Sequence, residues 1–225
     1  MIVFVDNEHV DSVTQPWWER AIAARVWIKY RLEEMTGDHC LIMRYNKVTP
    51  DVLRELNVRA LFLSGNGADA DTYPEADVAG LRAAFREKQW PTFGFCGGFQ
   101  LMSQTYGATL ERIGALEPGE PDTIPNFAPG MKKEFGYDPV EITQSHQLLE
   151  GLGPNPTMRQ AHSWEIKDVP DGFDCYASSP VTPIQMIIHR TLPIVGTQFH
   201  PEYYTDEHPA GRTLIENFCK MAGLI

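Results

Sequence analysis

The sequence is short of positive charge and has no long apolar run. Its 19 Lys and Arg residues face 30 Asp and Glu residues, so the formal net charge is −11. Nucleic-acid-binding faces cover phosphates with clustered Lys and Arg, and this balance argues against one. The apolar stretch at residues 2–5 is too short to span a membrane and lacks the basic flank and cleavage site of a signal peptide. We expect a cytoplasmic protein that binds small molecules or other proteins, with no nucleic acid and no membrane among its partners.

Cysteine is also scarce, and its spacing is uninformative for metals. The four cysteines, at positions 40, 96, 175 and 219, lie far apart and form no Cys-x-x-Cys pair. This pattern predicts neither a zinc site nor a disulfide framework.

Apolar segments alternate with amphipathic segments through the first half of the chain. The apolar segments are residues 1–6, 39–45, 59–65 and 91–95, and the amphipathic ones are residues 16–35, 50–56 and 74–88. Such alternation is typical of βαβ units, whereas the second half contains short strand-like runs separated by turns. We predict an α/β fold in one domain, residues 1–225, with an open, mostly parallel sheet flanked by helices and a mixed or antiparallel extension.

The first amphipathic segment predicts a long helix. Trp17, Ala21, Ala24, Ile28, Leu32 and Met35 recur at helical spacing. Its charged residues would face water. The helix is either a surface that docks a partner or a long core helix.

One cysteine lies among glycines in "GFCGGFQ", residues 94–100. The preceding apolar run and the following amphipathic stretch predict a strand, a sharp turn and a helix, which would place Cys96 at the carboxyl edge of the sheet. The first N–H groups of that helix lower a thiol pKa and stabilise an oxyanion, with Gly97 as the nearest donor. Cys96 is therefore a candidate nucleophile; the alternative is a buried structural cysteine.

A thiol nucleophile needs a base, and "GTQFHPE", residues 196–202, offers one. His200 follows a strand-like run. Glu202 lies two residues later, so both side chains would leave an extended chain on the same side. The alternative is a surface His and Glu at a strand end.

Together the two fragments closely resemble the class I, triad-type glutamine amidotransferases, which include the glutaminase domains of GMP synthetase and anthranilate synthase. The nucleophile motif matches "GFCGGFQ", and the acid–base motif matches "PIVGTQFHPE". Further similarity lies in "LFLSGNG", "KKEFGYDPVEIT", "RQAHSWEIKDVPDGFDCYASS" and "EHPAGRTLIENF", so the resemblance spans nearly the whole chain. It implies a flavodoxin-like fold.

The resemblance also implies the residue roles. Cys96 would attack the side-chain amide of glutamine to form a γ-glutamyl thioester, with His200 moving protons and Glu202 orienting His200. Gly97 and the loop Gly65, Asn66 and Gly67 would donate N–H groups to the oxyanion. Gln100 and the backbone at Ser163 and Trp164 would hold the substrate. No metal or organic cofactor is implied.

Two positions depart from the family pattern. Asn66 stands where the oxyanion loop usually has glycine, and Phe99 stands where His or Met is common. Both changes leave the backbone N–H donors in place, so the chemistry remains possible. The two changes would affect the shape of the pocket and therefore the choice of substrate.

Three functional interpretations follow. The first is a glutaminase that supplies ammonia to a separate synthetase. The second is a free-standing hydrolase of γ-glutamyl amines or peptides with the same triad. The third, a non-catalytic regulator or scaffold on this fold, is disfavoured because all three triad residue types are present.

Overall fold

The computed structural model describes residues 1–225 and is built on a sheet of eight strands. The twelve strands of the chain are β1 (Ile2–Asp6), β2 (Cys40–Arg44), β3 (Leu61–Leu63), β4 (Thr92–Phe95), β5 (Leu110–Arg112), β6 (Glu134–Pro139), β7 (Glu141–Ile142), β8 (Thr157–His162), β9 (Trp164–Ile166), β10 (Phe173–Ser178), β11 (Met186–His189) and β12 (Ile194–Thr197). The main sheet has the order β2-β1-β3-β4-β12-β11-β10-β7. Strands β5 and β9, and strands β6 and β8, form two smaller antiparallel sheets.

The pairing confirms the predicted sheet. Strands β2, β1, β3, β4 and β12 run parallel, and β11, β10 and β7 continue the sheet antiparallel to their neighbours. Four of the parallel strands come from the βαβ alternation of the first half of the chain, while β12 and the antiparallel strands come from the turn-separated strands of the second.

Five helices cover the sheet: α1 (Trp18–Thr36), α2 (Pro50–Glu55), α3 (Glu75–Glu87), α4 (Gly97–Thr105) and α5 (Ala210–Met221). In β1, Ile2 and Phe4 join one hydrophobic cluster while Val3 and Val5 join another, as expected for a strand buried on both faces. The first cluster includes apolar residues of α1 and α5, and the second includes residues of α2, α3 and α4. None of these helices is long and apolar enough to cross a membrane.

The long first helix is present with small differences from the predicted pattern. It begins at Trp18, and Ile28 and Leu32 are buried as predicted. Trp17 is 38% exposed, because it lies before the first helical turn and not on the core-facing stripe. Arg25 is buried, a position that the amphipathic pattern does not single out.

Candidate active site

Cys96 lies at the sharp turn between β4 and α4, as the sequence predicts. Its backbone has φ 46° and ψ −110°, a left-handed conformation that is strained for a residue with a side chain. The turn is held by two hydrogen bonds, from Cys96 N to Thr197 O at 2.7 Å and from Gln100 N to Cys96 O at 2.9 Å. The thiol is only 5% exposed. It therefore lies at the floor of a cavity and not on an open surface.

His200 and Glu202 meet directly beyond β12. His200 Nδ1 lies 2.8 Å from Glu202 Oε1, and both side chains are buried. The residues do not belong to an extended strand, since Pro201–Tyr203 forms a 3₁₀ turn with proline at its first position. His200 N donates to Arg159 O at 2.8 Å, which fixes the start of this turn against β8.

The surroundings of His200 favour its protonated form. Burial alone would lower its pKa, but the Glu202 carboxylate and the Cys96 side chain outweigh burial and raise the pKa from 6.5 to about 10. Glu202 Oε2 is buried without a hydrogen-bond partner, so the bond to His200 is the one that this carboxylate makes. A positively charged imidazole beside Cys96 stabilises a thiolate.

The loop after β3 brings its backbone against the nucleophile. A Cβ added to Gly65 would lie 2.7 Å from His200 Cε1 and 3.3 Å from Cys96 Cβ. A Cβ added to Gly97 would lie 1.4 Å from Asn66 Oδ1 and 3.1 Å from Asn66 N. Only glycine allows such close approach at these two positions.

Three of the four predicted donors beside Cys96 have a free N–H group. Those of Gly65, Asn66 and Gly97 have no acceptor within the protein, as an oxyanion site requires. The N–H of Gly67 instead donates to Glu8 Oε2 at 2.7 Å, so this residue holds the loop and its donor is already occupied.

The predicted substrate-binding residues lie on the opposite wall. Gln100 Nε2 donates to Trp164 O at 3.2 Å and to Gln198 Oε1 at 3.1 Å. Ser163 Oγ accepts from Arg112 Nη1 at 2.7 Å. All of these residues except Gln198 line a cavity of about 520 Å³ that also contains Cys96 and is bordered by residues 126–129.

A second cavity, of about 300 Å³, lies on the His200 side of the loop and contains Glu202, Arg159 and Tyr203. Asn66 and Gly67 line both cavities. The oxyanion loop therefore separates a space beside the thiol from a space beside the imidazole.

The two departures from the family pattern have different surroundings. The Asn66 amide lies over Gly97 and donates to Ala68 O at 2.6 Å, so it shapes the site directly. Phe99 is fully buried, and a Cβ added to Gly196 would lie 2.3 Å from its ring. Phe99 therefore packs α4 onto β12 and lines neither of the two cavities.

Sequence reasoning missed several polar residues of the site. Gln198 Nε2 lies 3.6 Å from Cys96 Sγ and is part of the "GTQFHPE" segment, so its position could have suggested a role. Glu8, Arg25 and Arg112 carry no comparable local signal, because the contacts that bring them to the site are with residues far away in the chain.

Comparisons with known proteins identify the family of this chain. The family model for glutamine amidotransferase class-I matches residues 27–222. The chain belongs to the class I glutamine amidotransferase family. It is a glutamine amidotransferase, as the sequence resemblance predicts.

Its relatives include curated proteins and proteins of known structure. A subunit of the glutamine-hydrolyzing GMP synthase of Pyrococcus abyssi is 31% identical over 171 residues, which cover 76% of this chain and 79% of that protein. A solved structure from Thermoplasma acidophilum shares the fold with TM-score 0.72 at 24% identity, covering 99% of this chain and 94% of that one. A glutamine amidotransferase of Thermotoga maritima does so with TM-score 0.60 at 18% identity, covering 98% and 81%.

Gly97→Ala tests the close approach of the loop. Alanine normally stabilises a helix by about 1 kcal/mol relative to glycine, but here the added methyl group would displace Asn66. Losing one oxyanion donor costs about 10²–10³ in kcat, and we expect a fall of this order in glutamine turnover. Gly153→Ala, at a site with nothing within 4 Å of the new methyl group, is the matched control. A fully active Gly97→Ala variant would contradict this geometry.

Proposed function

We propose that Cys96, His200 and Glu202 form the triad with which this protein hydrolyses the side-chain amide of glutamine, and that the ammonia passes to a separate synthetase. The observation that carries the proposal is the juxtaposition at Cys96. A buried thiol on a strained turn lies beside a carboxylate-bound imidazole and free backbone N–H groups.

The first half of the reaction breaks the amide bond. The Cys96 thiolate attacks the amide carbon, and the negative charge that develops on oxygen is stabilised by the N–H groups of Asn66 and Gly97. His200, held protonated by Glu202, gives its proton to the departing nitrogen, so that ammonia leaves and a γ-glutamyl thioester remains on Cys96.

The second half regenerates the Cys96 thiolate and the protonated His200. Neutral His200 removes a proton from water as the oxygen of that water attacks the thioester carbon. The same N–H groups stabilise the second oxyanion. Glutamate leaves, and the sulfur and imidazole return to their starting charges. No step of this reaction requires a metal or an organic cofactor.

Substrate binding is proposed in the larger cavity. Gln100 and the backbone at Ser163 and Trp164 lie on the wall opposite the loop, at a position suited to the amino-acid end of glutamine. Gln198 connects this wall to the nucleophile, because it accepts from Gln100 and donates to Cys96 Sγ.

Several relatives are subunits of GMP synthases, which makes the complementary subunit of such an enzyme the first ammonia acceptor to test. We further propose that residues 1–225 form one domain in the cytoplasm. Both hydrophobic clusters lie on the two faces of one sheet, and all four cysteines are free.

The test is a comparison of initial rates on glutamine and on a panel of γ-glutamyl amines, each with and without the candidate synthetase. A glutaminase that works without its synthetase wastes ammonia, so we expect a low basal rate on glutamine and marked stimulation by the correct partner. Fast cleavage of one γ-glutamyl amine that no partner changes would favour the free-standing hydrolase instead.

A further inference from the structure

Three charged side chains form a buried cluster directly beneath the oxyanion loop. Asp6 and Glu8 lie at and just beyond the end of β1, and Arg25 lies on α1. Their side chains are between 2% and 7% exposed. Arg25 Nε pairs with Asp6 Oδ1 at 2.5 Å, and Arg25 Nη2 lies 3.5 Å from Glu8 Oε2. The catalytic steps above do not use any of them.

Arg25 and Glu8 hold the loop on both sides of Asn66. Arg25 Nη2 donates to Gly65 O at 3.3 Å. Glu8 accepts from Gly67 N at 2.7 Å and from Ala68 N at 3.3 Å. The loop is thus fixed immediately before and immediately after Asn66, whose N–H is free.

The contact at Gly65 O determines where the Asn66 N–H points. Gly65 C=O and Asn66 N–H belong to one planar trans peptide unit, so they point in opposite directions. Because Arg25 draws the carbonyl toward the buried cluster, the N–H of the same unit is turned away from it. Ser64 Oγ also donates to Gly65 O, at 2.8 Å. Without these donors a peptide unit beside glycine could rotate, since glycine tolerates both signs of φ.

Charge balance couples the cluster to the loop. One guanidinium faces two carboxylates, and isolated buried charges are costly. Glu8 Oε1 accepts from Ser12 Oγ at 2.8 Å and from His9 N at 3.2 Å within its own segment, and the loop adds the N–H groups of Gly67 and Ala68. These two donors to the Glu8 carboxylate are present only while the loop keeps this conformation.

Trp17 supports the same conformation from the cavity side. A Cβ added to Gly67 would lie 2.9 Å from Trp17 Cη2, so the indole edge packs on the loop backbone. Trp17 and all members of the cluster precede residues 27–222, the part that the family model matches. Family membership therefore assigns them no role.

We propose that Arg25 and Glu8 are positioning residues that hold the Gly65–Asn66 peptide with its N–H directed toward Cys96, so that the oxyanion site is already formed in the isolated chain. This inference rests on the proposed function, because it assumes that Asn66 stabilises the oxyanion of glutamine hydrolysis. It also gives the long first helix a role that is neither partner docking nor core packing alone.

The test compares Arg25→Met, Arg25→Lys and Glu8→Gln with wild type and with Lys29→Met. Lys29 is the matched control, since it lies on the same helix in an ion pair with Glu33 that does not contact the loop. For each protein we would measure kcat and KM for glutamine, and the rate of Cys96 alkylation by iodoacetamide across pH. Alkylation needs the thiolate but no oxyanion donor, so it separates the loop from the nucleophile.

We expect kcat of Arg25→Met to fall about 10²-fold, in the range found for loss of an oxyanion donor. KM and the pH profile of alkylation should stay at the wild-type values. Arg25→Lys should recover part of the loss because an ammonium can still donate to Gly65 O, and Lys29→Met should match wild type.

Several outcomes would overturn the inference. Wild-type kcat in Arg25→Met and Glu8→Gln would show that the loop needs neither residue. A parallel fall in kcat and alkylation rate would indicate general disruption of the site. If Arg25→Met does not fold, kcat, KM and the alkylation rate of Arg25→Lys and Glu8→Gln test the inference instead. Absence of turnover in the wild-type protein, with or without a synthetase, would reject the proposed function itself and not merely the positioning role.

Discussion

Replacing Cys96 with alanine is expected to abolish glutamine turnover and leave the fold intact. No neighbouring side chain can replace the sulfur that forms the thioester, and loss of a triad nucleophile lowers kcat by about 10⁶ in a well-studied serine enzyme. Alanine has the same Cβ at φ 46°, so the strained turn is unchanged. Loss of one buried sulfur atom should cost about 1 kcal/mol of unfolding free energy, within the usual range for point mutations.

The measurement is ammonia release by the purified variant together with its thermal midpoint. Cys175→Ala is the matched control, because Cys175 is also a free cysteine but lies on β10, outside both cavities. Intact mass spectrometry during turnover should detect a glutamyl adduct on wild type and on Cys175→Ala, but not on Cys96→Ala. If Cys96→Ala released ammonia at the wild-type rate, Cys96 would not be the nucleophile.

The parts of the fold that depend on local pattern could be predicted from the sequence. Alternating apolar and amphipathic segments predicted four of the five parallel strands, and amphipathic residues 50–56 predicted the helix α2. The two motifs around Cys96 and His200 are each contiguous in the chain. Local spacing was therefore sufficient to find them.

The parts of the fold and of the site that depend on contacts between segments far apart in the chain could not be predicted. Arg25 lies on a helix among other charged residues, where a charge normally faces water, and only the tertiary structure places it between Asp6 and Gly65. Glu8 meets Gly67 across 59 positions of sequence. No periodicity within either segment reports such contacts.

The contact between His200 and Glu202 illustrates a correct result with an incomplete reason. An extended chain would place both side chains on one side, yet the backbone turns at Pro201. The two groups meet because the 3₁₀ turn folds Glu202 back and the bond from His200 N to Arg159 O holds its start. Residue spacing alone did not distinguish these conformations.

The loop contacts also bear on activity without a partner. The composition of residues 65–67 suggests a flexible loop that a synthetase must order, but Arg25 and Glu8 already hold it in the isolated chain. A measurable basal rate is therefore expected. Stimulation by a partner would then act on other walls of the cavities, such as residues 126–129.

The second large effect is expected at the acid–base pair. His200→Ala should lower kcat by about 10⁶, since both the proton donor and the base are lost. Glu202→Gln should have a smaller effect, about 10⁴, because an amide can still hydrogen-bond to His200 Nδ1 but does not stabilise the imidazolium. Kinetic measurements on the two variants and on Cys96→Ala should show the smallest loss of kcat for Glu202→Gln.

The pH dependence of Glu202→Gln provides an independent check of the charge argument. Glu202 raises the pKa of His200, and without its charge burial would lower that pKa. The alkaline limb of kcat/KM, where His200 loses the proton needed by the leaving ammonia, should therefore move to lower pH in the variant. In wild type the raised folded-state pKa contributes stability that is fully present below the ordinary value of 6.5 and is lost as pH rises toward about 10. The thermal midpoint of Glu202→Gln should thus fall furthest below that of wild type at acid pH and approach it at alkaline pH. If the alkaline limb did not move, and if the difference in thermal midpoint were the same at every pH, Glu202 would not set the charge of His200.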